Sequence, residues 1–194
     1  ERIIEESARR EGLKLLGWRS VEVDSTKIGR QAASTEPIIK QFFVGALCDV
    51  EPETFERQLF VLRKVIEAEV HSATGISSEH VFAICSLSSR TIVYKGLLLP
   101  HQVDRYYADL RNPHFQSAVA LVHQRFSTNT FPSWKLAHPY RFIAHNGEIN
   151  TVRGNRNWMR AREALLKSEL IPGDLERLFP IIQPGGSDSA SFDN

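Results

Sequence analysis

Three polar clusters stand at the ends of apolar runs and carry groups able to hold charge: Arg125 in RFSTN, Asn146-Gly147 after FIAH, and Asp188 in GGSDSAS. A guanidinium binds a carboxylate through two parallel N–H bonds. A carboxylate pairs with a cation, and a side-chain amide beside a glycine N–H can donate to a developing oxyanion. Taken singly, each has an ordinary reading. Asn-Gly is the commonest two-residue hairpin turn because both residues tolerate positive φ. Arg125 alone reads as a surface or ion-pair arginine, and Asp188 followed by Ser189 suits a helix N-cap. Ser127 and Thr128 could bond a ligand or merely tie down a loop, Phe126 is pocket wall or core, and His138 in AHPY is pocket or packing.

Such clusters need a frame. Ile3, Ile4 and Ala8 at helical spacing before Gly12 predict a helix with a glycine at its end. LKLLGWRSVEV predicts a strand, KIGRQAASTEP a loop, and IIKQFFVGAL a buried strand. Phe55, Leu59, Leu62 and Ile66 behind Pro52 and Glu53 give the clearest helical stripe, which must pack on a sheet. VFAICSLS and TIVYKGLLL about Ser89 predict an antiparallel hairpin, and residues 104–110 a short helix. SAVALVHQRF and RFIAHNGEI predict further strands, with a helix over 157–167. Adjacent strand pairs with helices grouped between them imply a mixed α+β architecture in one domain over 1–194, with no repeat.

Bulk composition removes several functions. The chain has 194 residues, 42% of them hydrophobic, enough for a real core, and its 24 basic and 23 acidic residues leave a formal charge of only +1. No global field therefore favours nucleic acid or an anionic membrane. No apolar run approaches the ~18 residues of a membrane span. RGNRNWMRARE interleaves Arg153, Arg156, Arg160 and Arg162 with Trp158. It reads better as a solvated helix, with Arg156 and Arg160 on the wet face and Trp158, Met159 and Leu165 inward, than as an RNA-binding surface. Cys48 and Cys85, in FFVGALCDV and VFAICSL, read as buried, inert thiols.

HQRFSTNT, AHPYRFIAHNGEINT and GSDSASFDN, three separated blocks in order, resemble the glutamine amidotransferase domain of the glutamate synthase family. The upstream LLGWRSV, ERQLFVLRKVIE and ICSLSSRTIVYKGL are similar too, so the likeness covers nearly the whole chain. The resemblance implies the N-terminal nucleophile hydrolase fold, a four-layer α/β/β/α sandwich, here incomplete at both ends. It also implies roles for the clusters. Arg125 would hold the α-carboxylate of glutamine and Asp188 its α-ammonium, while the Asn146 amide and the Gly147 N–H would form the oxyanion hole. Ser127, Thr128 and His138 would line the substrate site.

Family members attack glutamine with a cysteine at the mature N-terminus, whose own α-amino group is the base. Residue 1 here is Glu, and Cys48 and Cys85 lie within the chain, so a preceding segment is expected to carry the nucleophile and this stretch alone to be inactive. For the parent enzyme the resemblance implies ammonia transfer to 2-oxoglutarate. FMN and an iron–sulfur cluster are expected elsewhere in that chain, with no cofactor or metal in this segment. Partners would be glutamine, the remaining domains, and a small electron-donating subunit or ferredoxin, in the cytoplasm or a plastid. The rival expectation is a non-catalytic glutamine- or glutamate-binding regulatory module that kept the pocket.

Overall fold

The computed structural model describes residues 1–74, 82–124, 132–145 and 148–194. It is a mixed helix and sheet structure. Helix α1 (Arg2–Arg10) buries Ile4, Ser7 and Ala8. It ends where Gly12 takes φ +72, a conformation glycine adopts without steric cost, and the chain turns into β1 (Leu13–Ser20). After a 3-10 turn (Ser25–Lys27) and the short α2 (Arg30–Ala33), β2 (Lys40–Ala46) returns antiparallel to β1. Leu13 lies opposite Ala46 and Ser20 opposite Lys40, with an irregularity between Leu15 and Gly17.

Helix α3 (Pro52–Thr74) organises the fold. Its Leu59, Leu62 and Ile66 pack with Ile4, Ala8, Leu13 and Ile84, with Phe42, Val44, Phe55 and Trp18 closing the margin. On another side Val61 and Val65 meet Leu178 of a 3-10 turn (Leu175–Leu178) and Phe179. Between these faces Lys64 is 2% exposed and its Nζ donates to the carbonyls of Pro180 (2.9 Å) and Ile181 (2.8 Å). Burial and the neighbouring Arg63 pull its pKa down to about 8.

A second cluster gathers Val21, Ala32, Tyr106, Tyr107 and Trp134. Its rings meet edge to face or tilted, and their polar ends are bonded: Trp134 Nε1 to Ala32 O (3.2 Å), Tyr106 OH to Glu36 Oε1 (2.7 Å), Tyr107 OH to Lys95 O (2.7 Å). Tyr106 lies on α4 (Val103–Tyr106), followed by a 3-10 turn (Ala108–Arg111). Helices α5 (Val152–Glu163) and α6 (Asp188–Phe192) complete the described elements.

Several expectations are corrected. Among the described residues the sheet has two strands, β1 and β2. The turn at Ser89 exists, but residues 82–99 form no ladder. The Glu56 carboxylate takes the Ser88 hydroxyl (2.8 Å) and the Ser89 N–H (2.7 Å) and hydroxyl (2.6 Å), and Ser86 Oγ takes the Val93 N–H (3.1 Å). The strand expected before Arg125 is irregular and leaves Val119 and Val122 each 82% exposed, since a strand needs a neighbour to receive its N–H groups. β2 is half-buried, because a two-stranded ribbon here covers one face only and Phe43 stays exposed. The 30–33 stretch, expected as loop, is helical because Ala32 can bury into the aromatic cluster. Cys48 is exposed just beyond β2 and Cys85 half-buried, so neither is the fully buried thiol expected. On α5, Trp158 and Leu165 beyond it point to solvent, while Arg156 turns inward to bond α6.

Candidate functional site

The site is built around α6, whose side chains take backbone donors that would otherwise need a strand partner. Ser187 caps the helix, its Oγ accepting the Ala190 N–H at 3.2 Å. The capping residue is thus Ser187, not Asp188 as the sequence suggests. That leaves the Asp188 carboxylate available for longer-range work. Its Oδ2 accepts the Ile149 N–H at 2.7 Å, and its Oδ1 stands 4.0 Å from Arg156 Nη2. At the far end of α6 the Asp193 carboxylate, 1% exposed, pairs with Arg141 (2.9 Å) and accepts the N–H groups of Arg141 (3.3 Å) and Phe142 (3.2 Å). Capture of these donors explains why residues 141–145 and 148–149 form no strand.

His145 and Ile149 flank Asn146-Gly147 in sequence, and both bond to the first turn of α6. His145 Nδ1 lies 3.3 Å from Ser189 Oγ, and Ile149 donates to Asp188. Two residues further on, Thr151 adopts φ +56 and ψ +28 to begin α5. A β-branched residue in the left-handed region is strained by about 1–3 kcal/mol, and such strain gathers at functional sites.

His138 joins the same network from the other side. Its ring lies edge-on to His123 (centroids 4.4 Å, Nδ1 to Nε2 3.3 Å) and to Tyr140 (4.7 Å). Tyr140 OH meets Ser187 Oγ at 3.0 Å, and Lys95 Nζ sits 4.6 Å over the Tyr140 ring while donating to Lys135 O (2.8 Å). Burial, followed by the neighbouring His123, Lys95 and His145, pushes the His138 pKa down to about 4, so its imidazole is neutral near pH 7. Burial likewise lowers that of Lys95.

Of the residues expected at a substrate site, His138 packs its ring on Tyr140, whose OH meets Ser187, the residue that precedes Asp188. Arg125, Ser127 and Thr128 fall in 125–131, and Asn146 and Gly147 in 146–147, outside the described residues. Sequence reasoning missed Tyr140, Arg141, Arg156, Ser187 and Asp193. The serine-rich SDSAS run was the available signal, since serines favour helix starts. Among the described residues no group of three or more His, Cys, Asp or Glu is placed to hold a metal ion, and no helix is long and apolar enough to cross a membrane. The two cysteines are too few for an iron–sulfur cluster, which takes about four thiolates.

A polar cradle around a short serine-capped helix, bonded by His145 and Ile149, stands beside the family comparison. The model of the class-II glutamine amidotransferases matches residues 1–194, and the chain belongs to that family. Its similarity to individual proteins is narrower still. It is 52% identical to the NADH glutamate synthase of Saccharomyces cerevisiae over 100% of this chain and 9% of that protein. It is 50% identical to the NADPH glutamate synthase large chain of Bacillus subtilis over 100% of this chain and 12% of that one. Against the chloroplastic ferredoxin-dependent glutamate synthase of Oryza sativa subsp. japonica the figures are 45%, 95% and 11%. The chain thus spans only about a tenth of the length of these relatives.

Proposed function

We propose that the chain is the glutamine-binding part of the glutaminase domain of a glutamate synthase, which releases ammonia from glutamine for transfer to 2-oxoglutarate. The observation that supports this best is the attachment of both flanks of Asn146-Gly147 to the first turn of α6, at Ser189 and Asp188. An ammonium clamp at Asp188 and an oxyanion hole at Asn146 and Gly147 would then share one rigid mount. A thiolate attacking the side-chain amide needs the substrate held at both α-groups, and Arg125 supplies the partner for the carboxylate. Neutral His138, with Ser127 and Thr128, shapes the pocket.

The four-layer sandwich belongs to the same reading, and the apolar residues Val119, Leu121 and Val122, exposed here, are what a strand of such a sheet would offer. Neither Cys48 nor Cys85 has a free α-amino group to serve as its own base, so the 194 residues alone should release no ammonia. FMN and an iron–sulfur cluster belong to other parts of the parent, and the electron donor is a separate partner, a small subunit or ferredoxin. Residence is in the cytoplasm or a plastid.

The test is steady-state glutaminase kinetics of the full-length parent. Asn146→Ala should lower kcat by ~10²–10³, the usual loss for an oxyanion donor. Asp188→Asn should chiefly raise the KM for glutamine. Wild-type kinetics in both variants would sink the assignment.

A further inference from the structure

Asp188 can work as a clamp only if its carboxylate is held in place without being neutralised, and the surrounding geometry shows what holds it. Arg156, half-buried on α5, spans the turn that carries Asp188. Its Nε donates to Ser191 Oγ at 2.9 Å and its Nη2 to Gly186 O at 2.7 Å, so one planar fork grips the turn before Asp188 and the helix after it. The turn is tight: a Cβ on Gly186 would stand 3.2 Å from that of Ala190. Ser191 is itself fixed, its Oγ donating to Ser187 O at 2.9 Å.

The same guanidinium stops 4.0 Å short of Asp188 Oδ1. A bidentate Arg–Asp pair would satisfy the carboxylate and compete with an incoming ammonium. At this distance Arg156 makes a loose ion pair with Asp188 and no hydrogen bond, so its two direct donations, to Gly186 and Ser191, orient the acid through the backbone while Oδ1 stays able to accept from an incoming ammonium. Lysine has a single ammonium on a flexible stem and cannot present the two fixed donors.

We propose that Arg156 is a positioning residue for the α-ammonium site, acting through Gly186 and Ser191 on Asp188. This rests on the assignment of Asp188 as the ammonium clamp, and the experiment separates the two. In the full-length parent enzyme, D188N, R156M and R156K are assayed with glutamine and with 4-carbamoylbutanoate, the same molecule without its α-amino group. Where turnover of the analogue is too slow to read, its Ki as a competitive inhibitor takes the place of the rate.

R156M should lose about tenfold in kcat/KM for glutamine, mostly in KM, in line with the cost of misplacing a binding group. It should alter the value for the analogue less than about twofold, because the analogue makes no ammonium contact. R156K should show the same selectivity at smaller magnitude, and it stands in for R156M should that variant fail to fold. Equal losses on both substrates, or none, overturn the role of Arg156. If D188N itself fails to distinguish the two substrates, the clamp assignment falls. If D188N distinguishes them and the Arg156 variants do not, only the positioning role falls.

Discussion

Under α1 and α3 the buried side chains are Ile4, Ala8, Leu13, Leu59, Leu62 and Ile66, and contact among them is non-directional. Around α6 the buried groups are Ser187, Ser189, Ser191, His138 and the Asp193 carboxylate, each fixed by partners at set distances and angles. The first region is held by area removed from water, and methyl-sized changes shift its energy without redirecting anything. The second is held by hydrogen bonds, where losing one partner leaves another polar group buried and unmatched. Stability and aim are therefore supplied by different parts of one molecule.

The comparison breaks most readily at Asp193. Asp193→Ala removes a buried carboxylate that pairs with Arg141 and receives two backbone N–H groups, and should cost about 3–5 kcal/mol in urea unfolding. A cost below about 1 kcal/mol would mean that the polar region behaves as solvated loop. Leu62→Ala, at a site with 0% exposure, should cost about 2–5 kcal/mol by the same measurement while leaving the KM for glutamine near its wild-type value. A large KM change there would show that the two regions are not separable.

Acidity gives a sharper and smaller test. The His138 pKa is lowered from 6.5 to about 4, so as pH falls the unfolded chain takes up the proton first. Stability carried by the neutral imidazole is whole above the unfolded value and is lost as pH drops from about 6.5 towards 4. Thermal melts should follow that slope, and His138→Gln should flatten it. The smallest effect is expected at Thr151, where Thr151→Gly removes the penalty of φ +56 and should leave stability unchanged or raise it by up to ~1 kcal/mol. A drop of that size would show that the threonine side chain contributes more than its backbone strain costs.

How far the sequence could be read follows the same division. The helix carrying Phe55, Leu59, Leu62 and Ile66 was legible because burial writes a period into the chain, and α1 up to Gly12 and the strands β1 and β2, though not their pairing, were legible from pattern too. Residues 82–99 and 141–149 have strand-like apolar patterns, yet side chains of Glu56, Ser86, Asp188 and Asp193 take the N–H groups of Ser89, Val93, Ile149 and Phe142. Pattern alone carries no record of such distant partners. Asp188 could be singled out by its family block, whereas Arg156 looked like one more wet arginine on a basic helix. Its partners, Gly186 and Ser191, lie thirty and thirty-five residues further on.

The buried Lys64 sets a limit on how the gene can change length. An α-helix turns roughly 100° per residue, so one codon gained in α3 ahead of Lys64 would swing its ammonium into the place of Val65, in the apolar cluster with Val61 and Leu178. The carbonyls of Pro180 and Ile181 would lose their donor in the same event. Drift by insertion and deletion should therefore be barred from this helix and fall in the connecting segments, whatever substitutions the helix tolerates.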